Sequence, residues 1–136
     1  MSDSRRLALS LVILRISLVI FFLVWTLEKF LAPELTVAIS QAYYGFEIGV
    51  SGAYAMGAVQ AGVLLLFALG IARFWSYGFF LVIHTVSMVA SYEALINPYD
   101  PPNHLFHAGI PVLAALFLLF FCRGSDRILV LSPRGQ

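Results

Sequence analysis

Apolar residues gather into four long runs, Leu7–Leu31, Tyr54–Ala72, Phe74–Leu95 and Leu105–Phe121, parted by short polar breaks. At a helical rise of about 1.5 Å per residue, runs of this length reach across a hydrocarbon core of about 30 Å. The break at Ala72-Arg73-Phe74 leaves room only for a tight turn, and INPYDPPN ends a helix through its prolines and its Asp and Asn residues. The pattern predicts an all-α membrane protein: a four-helix transmembrane bundle, one domain over residues 1–136, with consecutive spans antiparallel. Between the first two runs, PELTVAISQAYYGFEIG is too polar to cross. Pro33 suits the first turn of a helix, and Leu35, Ile39, Ala42 and Phe46 then fall at i, i+4, i+7 and i+11. This predicts an amphipathic interfacial helix between spans one and two, with Tyr43 and Tyr44 in the aromatic band of the membrane surface. Gly45, Gly49 and Gly52 predict a bent start to the second span.

Composition agrees with the pattern. The 136 residues are 61% hydrophobic and only 11% charged, with a mean hydropathy of +0.93, more apolar surface than a soluble domain covers. A net charge of +1 offers no basic patch, so nucleic-acid binding is excluded. The first run is too long for a signal peptide, carries Arg15 and lacks a small-x-small cleavage pattern, so it reads as a retained span. Cys122 is the single cysteine, which excludes an intramolecular disulfide and thiol relay within the chain. Beside Arg123, a passive apolar role for Cys122 is preferred to reactivity or lipidation.

Charge sets the orientation. With four spans, Arg5, Arg6, Arg73, Arg123, Arg127 and Arg134 all fall on one side, while Lys29 is the only cation opposite, among Glu28, Glu34, Glu47, Glu93 and Asp100. Both termini are therefore expected in the cytoplasm, with the chain in a bacterial inner membrane.

Several polar side chains interrupt the apolar runs. Arg15 and Lys29 return to nearly the same helix face about 21 Å apart, and a central intramembrane arginine costs about 2.5–3.5 kcal/mol on insertion scales. Arg15 therefore either snorkels to the inner headgroups or meets a partner or anionic ligand in the bundle. Counted inward from Phe74, His84 lies at a depth similar to Arg15, on one face with Tyr77, Ser87 and Ser91, and Gln60 is placed to hydrogen-bond it. Two readings stand: a structural polar network that fixes packing, or a quinone or proton-handling site.

The outer mouth gathers Glu28, Lys29, Glu47, Glu93, Asp100, His104 and His107. Lys29 is expected to pair with Glu47, Glu93 or Asp100, either locking the interfacial helix or offering a cation to a quinone carbonyl or an anionic substrate. Glu93, His104 and His107 have the ligand types for Zn²⁺, Cu²⁺ or Fe²⁺, although histidines at a helix start are more often satisfied by backbone or water. A haem bridge is disfavoured, because His84 and His107 lie at different depths. Ala53, Gly57 and Ala61, spaced four apart, are read as a packing stripe.

Two segments, LRISLVIFFLVWTLEKF and AVQAGVLLLFALGIARFWSYGFFLVIHTVSMVAS, carry a resemblance. With Arg15 and Lys29 at their spacing, Gly62, Gly70 and Arg73 in the second segment, and the four-span length, the chain resembles the DoxX-like membrane proteins over residues 11–95. Gln60 departs from the pattern, standing where many members carry a glutamate. The resemblance implies a four-helix membrane protein associated with redox complexes, including a subunit of thiosulfate:quinone oxidoreductase and partners of oxidative-stress enzymes. Some relatives with cysteines deliver disulfides, which Cys122 alone does not support. The expectation is a small subunit or accessory of a quinone-linked membrane redox complex, with no self-contained catalytic motif. Its expected partners are the lipid bilayer, other membrane or peripheral redox subunits, and a second copy of itself. The alternatives are a non-catalytic assembly or scaffold subunit and a small transporter.

Overall fold

The computed structural model describes residues 2–131. Arg134, counted among the inner arginines, lies outside them. Helix α1 covers Asp3–Leu31, a stretch without glycine or proline, with Asp3 in its first turn and Lys29 in its last, both favourable to the helix dipole. Ala32, preceding Pro33, leaves the helical region and ends it, and Pro33 opens the short α2, Pro33–Ile39. A π-turn, Ser40–Tyr44, continues α2 and stops at Gly45, which has φ +72°. Then come α3 (Val50–Ala68), α4 (Arg73–Ala90), α5 (Tyr92–Ile96), a 3₁₀ turn at Asn103–Ala108 and α6 (Gly109–Phe121). No strand occurs among the described residues.

Among the described residues, three helical stretches are long and apolar enough to cross a membrane: α1, α3 and Asn103–Phe121. The third apolar run folds differently from the expected span to Leu95. It breaks at Ser91 into α4 and α5, and α4 is diluted by Arg73, Ser76, Tyr77 and His84. The second helix starts at Val50, earlier than expected, and ends at Ala68, where Ile71 N–H bonds Leu66 O across the turn.

The four long helices close a ring, α1 on α3, α3 on α4, α4 on α6 and α6 on α1. Arg15 meets Tyr77 near the start of α4 and residues beyond the end of α6, while at the other end Thr26 meets Gln60 and His84 meets Gly109. Consecutive long helices are thus antiparallel, and α1 and α4 run parallel across the ring. The core contains Leu11, Leu18, Phe22, Leu64, Phe67, Tyr77, Phe80, Leu116 and Leu119. Its middle is an aromatic belt in which Phe22 and Phe80 lie 4.4 Å apart and Phe67 and Phe80 5.3 Å, ring to ring.

Outward faces remain apolar: Ile13, Ile20, Val24, Leu65, Val82 and Phe121 are each at least 60% exposed, as suits a chain in contact with lipid. Lipid tails are as apolar as these side chains, so the ring is held by close packing and buried polar bonds. Gly57 allows one such approach, since a Cβ there would lie 2.8 Å from Phe30 Cζ and 3.0 Å from Lys29 Cβ. The segment expected to be amphipathic turns the opposite face inward. Thr36 and Ser40 are buried, whereas Leu35 and Phe46 are 54% and 51% exposed, with Thr36 turned toward α1 to bond Glu28.

Candidate functional site

The buried polar side chains form two groups, one on each side of the aromatic belt. The first is a latch at the end of the bundle where α1 begins. Arg15, 1% exposed, donates through Nη1 to Asp126 Oδ2 at 3.1 Å and to Tyr77 Oη at 3.3 Å. Its Nη2 donates to the carbonyls of Ile128 at 2.7 Å and Leu129 at 2.8 Å. Tyr77 Oη donates to the same Asp126 oxygen at 2.6 Å. Arg73 Nη1 donates to Arg123 O at 2.7 Å and Asp126 O at 2.5 Å, and Leu131 N–H bonds Leu69 O at 2.9 Å. The residues following α6 therefore fold back over the bundle end and supply the counter-ion and carbonyls that a buried guanidinium requires. Gly70 is needed here twice over: its φ is +63°, and a Cβ would stand 2.5 Å from Val130 Cγ1 and 2.6 Å from Arg15 Nη1.

This arrangement corrects the expected depth of Arg15. It is level with Tyr77, and His84 is level with Phe22, whose ring centroid lies 6.0 Å away. Arg15 and His84 are thus seven residues, about 10 Å, apart along the parallel helices. The reason is that α1 begins some eight residues, about 12 Å, beyond the start of α4. Distance from the end of each run therefore gives no common depth.

The second group lines a cavity of about 640 Å³ bounded by α1, α3 and α4 and covered by α2, the π-turn and Phe46. Its wall is chiefly aromatic and aliphatic, including Phe21, Phe22, Trp25, Val59 and Ile83, with Glu28, Lys29, Thr36, Gln60, His84 and Ser87 as polar members. Thr26 donates to Phe22 O at 2.7 Å, so its oxygen accepts from Gln60 Nε2 at 2.9 Å, which fixes the orientation of the amide. His84 Nε2 lies 2.9 Å from Gly109 O. A carbonyl only accepts, so Nε2 carries the proton and Nδ1 is the acceptor of the neutral ring. Phe21 and Phe22 each stand nearly perpendicular to the imidazole, ring centroids 6.0 Å away. Lys29 Nζ donates to Trp25 O at 3.0 Å, and Thr36 Oγ1 donates to Glu28 Oε1 at 3.3 Å, tying the cover to α1.

Of the expected internal site, Gln60, His84 and Ser87 share this cavity, while Arg15 and Tyr77 belong to the latch. Gln60 bonds Thr26 rather than His84, because the hydroxyl lies nearest on the adjoining helix and His84 turns to α6. The expected partners of Lys29 lie elsewhere. Glu47 accepts from Gln41, Glu93 accepts from Tyr92, Asp100 is exposed on its loop, and none is within ion-pair distance of Lys29. The expected metal set is not assembled either. Glu93 and His104 are exposed, His107 Nδ1 is buried without a partner, and no group of three or more His, Cys, Asp or Glu suited to a metal ion occurs among the described residues.

Two residues escaped the sequence reading. Thr26 is hidden because a helical threonine usually bonds its own backbone, as it also does here. Asp126 lies 111 residues from Arg15, but one signal marked it: apart from Asp3, it is the only carboxylate on the arginine-rich side. Comparisons with protein-family models, curated proteins and solved structures find no match.

Proposed function

We propose that the protein is a four-span helical protein of the bacterial inner membrane that binds a lipophilic, quinone-type molecule with a polar head. In this reading it serves as a small subunit or accessory of a quinone-linked redox complex. The observation that carries the reading is the cavity between α1, α3 and α4, apolar over most of its wall and furnished with His84, Gln60 and Lys29 at successive heights. A ring packs against Phe21, Phe22 and Trp25; its carbonyl oxygens accept from the Gln60 amide and the Lys29 ammonium, and in the reduced quinol a hydroxyl donates to His84 Nδ1. The volume lies within the roughly 300–1,000 Å³ common to small-molecule sites. The redox setting rests on the resemblance of two segments to the DoxX-like proteins.

Four spans are supported by the closed ring, since α4 stands between α3 and α6 with Val82, Val86 and Val89 50–66% exposed. Cytoplasmic termini are supported by the arginines: Arg5 and Arg6 open α1, Arg73 opens α4, and Arg123 and Arg127 follow α6, all at the latch end.

Trp25 lines the cavity, so its fluorescence reports occupancy. Titrating the protein in nanodiscs with a short-chain quinone is expected to give saturable quenching, weakened about tenfold in Gln60→Leu by loss of the hydrogen bond that the amide donates. Quenching without saturation, or equal in both proteins, overturns the reading. The latch favours a second reading, a non-catalytic assembly subunit, because its residues chiefly satisfy one another. On that reading Arg15→Leu and His84→Leu lower protein level and leave turnover per assembled complex unchanged.

A further inference from the structure

We propose that the cavity selects an anionic amphiphile, a single apolar chain ending in a carboxylate or phosphate, with Lys29 as the counter-ion to its head. This rests on the reading of the cavity as a lipophile site and adds to the neutral quinone a second ligand class, one with a charged head.

The unequal treatment of two buried cations carries the inference. Arg15 and Lys29 lie on the same buried face of α1, at 1% and 9% exposure. Arg15 receives Asp126, a tyrosine and two carbonyls. Lys29 receives one carbonyl of its own helix, Trp25 O. Among the described residues the ion pairs are Arg6 with Asp3 and Arg15 with Asp126, so no carboxylate lies within 4.0 Å of the Lys29 ammonium. Glu28 also lines the cavity, yet it lies beyond ion-pair distance of the ammonium and its Oε1 accepts from Thr36. An ammonium removed from water without a counter-ion is unfavourable, and an anion arriving with a ligand relieves that penalty.

The surroundings suit the same ligand. Lys29 borders a cavity whose wall is chiefly apolar, so an anionic head at Lys29 leaves a chain to run along Trp25, Val59 and Ile83. Gln60 lies beside Thr26, less than one turn from Lys29 along α1, and its amide keeps a second N–H beyond the one given to Thr26. Gly57 holds α3 against the Lys29 stem, which sets where the ammonium stands. A neutral alcohol or ester accepts a hydrogen bond from this group and leaves the charge unbalanced. An anion does both, through charge-assisted bonds about twice as strong.

The test uses the full chain with Trp75→Phe in zwitterionic nanodiscs, leaving Trp25 as the reporter. Dodecanoate, dodecyl phosphate, dodecanol and methyl dodecanoate are titrated at neutral pH, each corrected for partition into empty nanodiscs. At least one anion is expected to bind about tenfold more tightly than the alcohol and ester. Whether carboxylate or phosphate leads identifies a fatty acid or a phospholipid headgroup as the source. Lys29→Gln is expected to abolish the preference while dodecanol binding persists, and Lys29→Arg to retain it. Equal binding of anions and neutral probes overturns the inference and leaves the lipophile reading standing, as does a preference that survives Lys29→Gln. If no probe binds saturably, both fall. The ligand series on the unsubstituted Lys29 protein decides the matter even where Lys29→Gln fails to accumulate.

Discussion

Replacing Asp126 with alanine removes the one carboxylate among the described residues that pairs with Arg15, at 3.1 Å, and the acceptor of the Tyr77 hydroxyl, at 2.6 Å. Both partners are essentially sealed, Arg15 at 1% and Asp126 at 0% exposure. Removing one member of such a pair leaves an uncompensated buried charge, which costs about 3–5 kcal/mol, against about 0–1 kcal/mol for an exposed pair. The two carbonyls still bonded to Arg15 reduce that loss, so about 3 kcal/mol is expected for Asp126→Ala. Arg15→Met should cost more, because it also strands the carbonyls of Ile128 and Leu129 and leaves Asp126 ionised without a cation. The double variant Arg15→Met with Asp126→Ala removes both charges and should recover part of the loss. The assay is reversible unfolding of the detergent-solubilised protein for all four species of this cycle. Limited proteolysis of the residues after Phe121 reports release of the latch. A loss below about 1 kcal/mol for Asp126→Ala, or additive losses in the cycle, refutes the idea that this pair closes the bundle end.

Two further outcomes probe other parts of the structure. Gly57→Leu places side-chain atoms where a Cβ alone already lies 2.8 Å from Phe30, so it should destabilise the α1–α3 contact by about 1–3 kcal/mol, read from the same unfolding assay. Thr36→Val removes the bond that ties α2 to Glu28, and is expected to cost about 1 kcal/mol and to raise protease sensitivity within residues 33–46, the rest of the chain keeping its protection.

Much of the architecture is legible in the sequence because helices in lipid must be long and apolar, and α1, α3 and the Asn103–Phe121 stretch meet that demand through local composition alone. The tight turn at Ala72 and the close approach at Gly57 are equally local. The partners of the buried polar groups depend on how helices slide past one another, which composition does not encode. Arg15 and His84 look level when each is counted from the end of its own run, yet α1 starts about 12 Å beyond α4. Asp126 meets Arg15 only because the chain folds back after α6, so a feature of the tail decides the chemistry of the first helix. Lys29 shows the converse. Carboxylates assigned to the same outer side predict a partner, but Glu47, Glu93 and Asp100 lie on exposed segments.

The cavity and its occupant are tested most directly by gentle purification from the native membrane, organic extraction and mass spectrometry of what is bound. A lipophile with a polar head should co-purify near one equivalent, enriched over the bulk lipid, and should be lost when Val59→Trp fills the cavity wall. Extracts that match the surrounding membrane and are unchanged by Val59→Trp would contradict the binding function.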